Sequence, residues 1–123
     1  MESNHTYRKL IVWQKSMAFV TKIYNETKSF PSEELYALTS QIKRSATSIP
    51  SNIAEGYGRE GQKDYLRFLN IGLSSLFELQ TQIEIAFNLN FLSEHVFKEL
   101  YEDSREIERM LTSFINKVNL KSK

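Results

Sequence analysis

The stretch from Arg44 to Arg67, RSATSIPSNIAEGYGREGQKDYLR, decides the fold. It holds one of the two prolines and three of the four glycines, and it sits between two long segments of helical periodicity. Pro50 removes one backbone hydrogen bond, to the carbonyl of Ala46. Ile49, Ile53 and Tyr57 nevertheless keep the helical period across it, which predicts a kink rather than a stop. The hydroxyls of Ser45, Thr47 and Ser48 are expected to satisfy the freed carbonyl. Gly56, Gly58 and Gly61 then predict a helix end in the left-handed conformation that glycine favours.

Upstream, Ser32 is expected to cap the helix that reaches Tyr57, with Glu33 and Glu34 suited to the positive end of its dipole. Its seam reads Leu35, Leu38, Ile42, Ser45, Ile49 and Ile53, and the small residues Ser45, Ala46 and Ser48 predict a closely approaching neighbour. Before it, Leu10, Trp13, Met17, Val20, Tyr24 and Thr27 recur at steps of three and four. That pattern predicts a first helix over 8–28, capped by Asn4 or Thr6 and ended by Ser29-Phe30-Pro31. Downstream, Leu66, Leu69, Leu73, Leu76, Gln80, Ile83 and Phe87 predict a third helix over 61–88. Phe97, Leu100, Ser104, Ile107, Leu111, Phe114 and Val118, with Ser93 as cap, predict a fourth over 93–119. On this last helix Glu102–Arg105, Glu106–Arg109 and Arg105–Glu108 are spaced for mutual support. No strand pattern appears. The expected fold is all-α: one domain over 1–123, an antiparallel up-down-up-down four-helix bundle.

Composition sets the outer limits. The chain has 123 residues, 41% hydrophobic and 25% charged, with a formal charge of +1. No cysteine is present, which excludes disulfides and thiolate chemistry. The N-terminal residues lack the apolar core of a signal peptide, and no apolar run is long enough to span a membrane. A cytoplasmic location is the expectation. Helices 1 and 3 carry more apolar surface than one small bundle hides, which predicts self-association.

Constellations for catalysis are thin. Gly56-Tyr57-Gly58-Arg59-Glu60-Gly61 matches the spacing of a dinucleotide loop, but a helix rather than a strand precedes it, so a helix break is the better reading. His5 lies in the tail and His95 in the first turn of helix 4. Leu92 stands three residues before His95, so the Glu-x-x-His pattern of di-iron bundles is absent. No histidine is placed to act as a base for a serine. The chain is therefore read as a non-enzyme with no metal and no cofactor.

Two groups of residues remain. Arg44, Asn52, Glu55, Arg59 and Glu78 are candidates for a structural polar network, because Glu78, on a helix apolar on most sides, is expected to need a cation from Arg44 or Arg59. Arg8, Lys15 and Lys22 recur every seven residues opposite the helix 1 seam, and Arg59, Lys63 and Arg67 recur every four. Residues 8–28 carry five cations against Glu26 alone. Both stripes read first as solvated faces and second as tracks for a phosphate backbone.

The phrase SIPSNIAEGYGR, with LIVWQKSM before it and DYLRFLNIGLSSLFELQTQIEIA after it, resembles the four-helix bundle proteins encoded within 23S rRNA intervening sequences, once labelled S23 ribosomal proteins. The resemblance runs from about Leu10 to Ile115. It rests on Ser48-Ile49-Pro50, then Asn52-Ile53-Ala54-Glu55-Gly56, then Arg59, Tyr65 and Phe68 in order. It implies a cyclic homo-oligomer, typically a pentamer, without enzymatic activity, and a kinship with the accessory protein of diversity-generating retroelements. Two functions follow as expectations: a nucleic-acid-binding accessory protein acting on RNA or DNA, or a structural scaffold that recruits a partner protein without nucleic-acid contact.

Overall fold

The computed structural model describes residues 6–121; Asn4 and His5 lie outside the described residues. Four helices account for most of them: α1 (Ile11–Glu26), α2 (Leu38–Tyr57), α3 (Gln62–Asn88) and α4 (Glu94–Lys121), with no strand among the described residues. α1 packs on α2 and α4, and α3 packs on α2 and α4. Residue numbers rise along α2 as they fall along α3: Ser45 meets Gln82, Ser48 meets Ser75, and Gly56 lies against Tyr65 and Phe68. The same opposition relates α3 to α4, where Gln62 reaches Val118 and Phe87 stacks on Phe97, and α1 to α4, where Lys15 meets Glu106 and Lys22 meets Glu99.

The core is aliphatic. Ile42, Ala46, Ile49 and Ile53 of α2 face Leu69, Leu76, Leu79 and Ile83 of α3, and Leu100, Ile107 and Leu111 of α4 close against them. Removing such side chains from water is the main stabilising contribution, roughly 1.5–3 kcal/mol for each large one. α2 and α3 approach most closely at small residues, as the sequence predicts. The Ser48 and Ser75 hydroxyls are 2.7 Å apart, and Gly56 lets the α2 backbone come up to Tyr65 and Phe68.

Several local expectations need correction. In α1 the buried positions are Val12, Ser16, Phe19 and Ile23; of the predicted seam, Thr27 is buried just beyond the helix, Leu10, Trp13 and Val20 pack half-buried against the core, and Met17 and Tyr24 are exposed. Apolar residues on both sides of this helix let two phases of the same period compete, and a small polar residue, Ser16, marks the true one by donating to the Val12 carbonyl. α1 is also shorter than 8–28. Leu10, extended at φ −74° and ψ 124°, separates it from a 3-10 turn at Tyr7–Lys9, whose start Thr6 caps through the Arg8 N–H.

α2 begins at Leu38 rather than Ser32. Ser32–Glu34 form a 3-10 turn without a side-chain cap, Leu35 is exposed, and Glu34 Oε1 accepts from the Leu38 N–H in place of a serine cap. α2 runs through Pro50 to Tyr57. The neighbouring hydroxyls do not turn to the Ala46 carbonyl. Ser45 bonds Ile42 and Gln82, Thr47 bonds Lys43 and Arg44, and Ser48 bonds Ser75. The glycines do not end α2 in a left-handed turn either, since no glycine has a positive φ and Gly58 sits at −82°.

The left-handed turn occurs instead at Asn90, φ 66°, after α3. Its N–H donates to the Phe87 carbonyl and the Phe91 N–H to that of Ala86, the paired pattern that closes a helix end. Phe91 then packs on Phe30, their centroids 5.6 Å apart. Ser93 caps α4 as predicted, accepting from the Val96 N–H.

Candidate functional site

The α1 stripe does not lie on an open outer face. Lys15 Nζ is 3.2 Å from Glu106, and Lys22 Nζ is 2.8 Å from Asp103 and 3.0 Å from Glu99. These pairs run as a ladder between α1 and α4. The Asp103 carboxylate, and after it that of Glu99, raises the Lys22 pKa above its ordinary value against the opposing effect of burial. The Lys22 ammonium in turn lowers the pKa of Glu99. Two of the three predicted phosphate-tracking cations are thus already matched by carboxylates. Arg8 is exposed on the N-terminal turn, its guanidinium carbon 5.6 Å from the Trp13 ring and 5.8 Å from that of Tyr7.

Of the second stripe, Arg59 and Arg67 converge at the corner where α2 gives way to α3. The guanidinium carbons of Arg59 and Arg67 each lie 4.6 Å from the centroid of Phe68. Arg59 also pairs with Glu55 at 3.0 Å, and Arg67 with Asp64 at 3.4 Å. Lys63 is exposed and joins none of the ion pairs among the described residues. The corner combines an aromatic ring with cations, and its two carboxylates offset two of the three positive charges.

The predicted polar network separates into pieces. Glu55–Arg59 is an exposed pair one turn apart. Asn52 turns back to the carbonyl and hydroxyl of Ser48. Arg44 and Glu78 line one cleft of about 160 Å³ with Ser45, Ser48 and Ser75, but form no ion pair there among the described residues. Arg44 reaches Ser40 at 3.4 Å, and Glu78 accepts from Gln82 at 3.3 Å. The expectation that Glu78 needs a cation is corrected by its exposure, because water solvates the carboxylate.

The buried polar contacts were not singled out from the sequence. Gln82, buried in α3, accepts from the Ser45 hydroxyl at 2.7 Å. Gln80 donates to Ser104 and to Glu108, and Glu108 also receives Arg105. Glutamines at core-facing positions of a helix are the signal that identifies them. Of the three predicted pairs on α4, Arg105–Glu108 forms, and Glu106 turns to Lys15 instead of Arg109. No cluster of His, Asp or Glu able to hold a metal occurs among the described residues. His95 is exposed, and His5 lies outside the described residues. Among the described residues no helix is long and apolar enough to cross a membrane.

A family model described as 23S rRNA-intervening sequence protein matches residues 8–113. Among solved structures, the chain is similar to a protein of unknown function from the S23 ribosomal protein family of Bacteroides thetaiotaomicron. The two share 30% sequence identity, with a TM-score of 0.80 over 86% of this chain and 96% of that one. No curated protein matches the sequence.

Proposed function

This chain belongs to the 23S rRNA-intervening sequence protein family, and from that premise we propose that it is a self-associating, non-enzymatic scaffold. In this reading an up-down-up-down bundle joins further copies in a closed ring, five by the family resemblance. The observation that carries it is the outer face of α3. Ile71, Phe77 and Ile85 of α3, and Leu89 just after it, are large apolar side chains that are 39%, 45%, 43% and 51% exposed in that order. Four large apolar side chains exposed along one helix support a contact with another chain, which would cover them. The ladder of Lys15 and Lys22 with α4 supports the scaffold over the nucleic-acid reading, because it removes most of the stripe's charge.

Light scattering at micromolar concentration tests this. A mass that is a multiple of 14.4 kDa is expected, falling to 14.4 kDa in an Ile71→Asp/Ile85→Asp variant. A wild-type mass of 14.4 kDa overturns the proposal.

A second reading, a nucleic-acid-binding accessory protein, is favoured by the Arg59, Lys63 and Arg67 corner around Phe68. Contacts of this kind weaken steeply with salt and show little sequence preference. Binding of an RNA oligonucleotide at low salt that Arg59→Gln/Lys63→Gln/Arg67→Gln abolishes would move the assignment to this reading.

A further inference from the structure

A groove runs between the N-terminal turn and the last three turns of α4. One half, of about 540 Å³, is floored by Leu10, Ile11, Met110 and Phe114. The other, of about 530 Å³, is floored by Tyr65, Phe114, Val118 and Leu120. Leu10, Phe114 and Lys117 line both halves, so the two are continuous. Ile11 at one end and Leu120 at the other are 59% and 69% exposed.

The rim has one sign of charge. Lys9, Arg109, Lys117 and Lys121 line the groove, and no Asp or Glu does. None of these four cations joins an ion pair among the described residues, whereas Lys15 and Lys22 further along α1 are both paired. The reason is in the sequence: from Tyr7 to Asn25 and from Arg109 to Lys121 the chain holds no acidic residue. Glu106 and Glu108, the carboxylates nearest Arg109 in sequence, are taken by Lys15 and Arg105.

We infer that this groove docks an acidic amphipathic helix of a partner protein. α4 rises about 18 Å between Arg109 and Lys121, the length of a helix of about 12 residues. An apolar floor of that length takes leucine-like side chains at i, i+3, i+4 and i+7. Carboxylates flanking that stripe meet the four rim cations, which steers the encounter and fixes orientation. Nucleic acid fits less well. The floor is largely aliphatic, and the rings of Tyr57, Tyr65 and Phe114 pack edge-to-face on one another, with centroids 6.2 and 6.1 Å apart, rather than forming a platform for bases. The inference rests on the scaffold reading and gives that scaffold a cargo. The groove's lining includes none of Ile71, Phe77, Ile85 and Leu89.

Fluorescence anisotropy on the 123-residue chain tests it, with a labelled leucine–glutamate amphipathic peptide of about 12 residues as the probe. The expected result is binding about tenfold or more tighter than that of a twin with lysine in place of glutamate. Lys117→Glu/Lys121→Glu, and separately the exposed-site variant Ile11→Glu, should each weaken it by about tenfold or more, with helical content unchanged by circular dichroism. Equal binding of the twins, or indifference to both variants, overturns the inference. So does loss of single-stranded RNA binding in Lys117→Glu/Lys121→Glu with the peptide unaffected, which makes nucleic acid the occupant. A change in assembly mass in that variant makes the groove a contact between copies and overturns it as well. A monomeric wild type that still binds the acidic peptide ends the ring and leaves the groove assignment standing.

Discussion

A Cβ added to Gly56 would stand 2.9 Å from the Cβ of Phe68, closer than two such carbons can come. Tyr65 closes the other side, its ring carbon 3.0 Å and its carbonyl oxygen 3.2 Å from the same point. Gly56 is buried, and it is required by this contact rather than by a special backbone angle.

Gly56→Ala is therefore expected to destabilise the bundle by about 1–3 kcal/mol, since α2 and α3 must move apart. Gly72→Ala is the control. Its Cβ would meet the Ile49 carbonyl at 3.5 Å and the Asn52 Cβ at 3.6 Å, ordinary contact distances. Alanine there should stabilise α3 by about 0.5–1 kcal/mol. Urea unfolding of both variants, with midpoints moving in opposite directions, checks the pair.

Thr39 is 4% exposed, and its hydroxyl meets no hydrogen-bond partner among the described residues. Thr39→Val replaces that hydroxyl with a methyl of nearly the same shape. Stability should rise by about 1 kcal/mol, and a fall in the urea midpoint would mean that the hydroxyl is satisfied.

Asn90 is the one non-glycine residue with a positive φ among those described. Asn90→Gly should be neutral or gain a few tenths of a kcal/mol, and Asn90→Val should lose about 1–2 kcal/mol, because a branched side chain resists the left-handed region. Thermal unfolding of the two variants reads this difference.

The pH dependence has a definite sign on each side. Lys22 has a raised pKa, chiefly from Asp103, so its contribution is full below 10.5 and is lost as pH rises through the higher folded value. Tyr65, pushed up to about 12 by burial and then by Tyr57, loses its contribution between 10.0 and about 12. Glu99 has a lowered pKa, so its contribution is full above 4.5 and is lost as pH falls through the folded value. Urea midpoints measured across pH should therefore decline at both extremes. Tyr65→Phe should make the alkaline decline shallower, and Lys22→Met should make both declines shallower.

The legible part of this fold is the part where one helical phase dominates. On α4, charged residues occupy the outer positions, so Leu100, Ser104, Ile107, Leu111 and Val118 stand out and all are buried. On α1 the period was readable but its phase was not, because Met17 and Tyr24 compete with Phe19 and Ile23 on hydrophobicity alone. The start of α2 failed for a local reason: Pro31-Ser32-Glu33-Glu34 carries a helix-start signal and uses it on a 3-10 turn. The candidate residues on α1 are legible as charges, not as pairs. Nothing within α1 announces that Glu99, Asp103 and Glu106 will arrive opposite Lys15 and Lys22, since that contact spans most of the chain.

The Ser45–Gln82 and Ser104–Gln80 bonds also decide which alignments of these helices are permitted. Leucine and isoleucine seams tolerate slippage, because one aliphatic layer fits nearly as well as the next. Sliding α3 along α2 by one turn, about 5.4 Å, would part Gln82 from the Ser45 hydroxyl, a net loss of about 1 kcal/mol. A misaligned bundle keeps its oily contacts and still loses. Two glutamines thus act as alignment keys for the three helices that make most of the core, while α1 is keyed to α4 by charge, through Lys15 and Lys22.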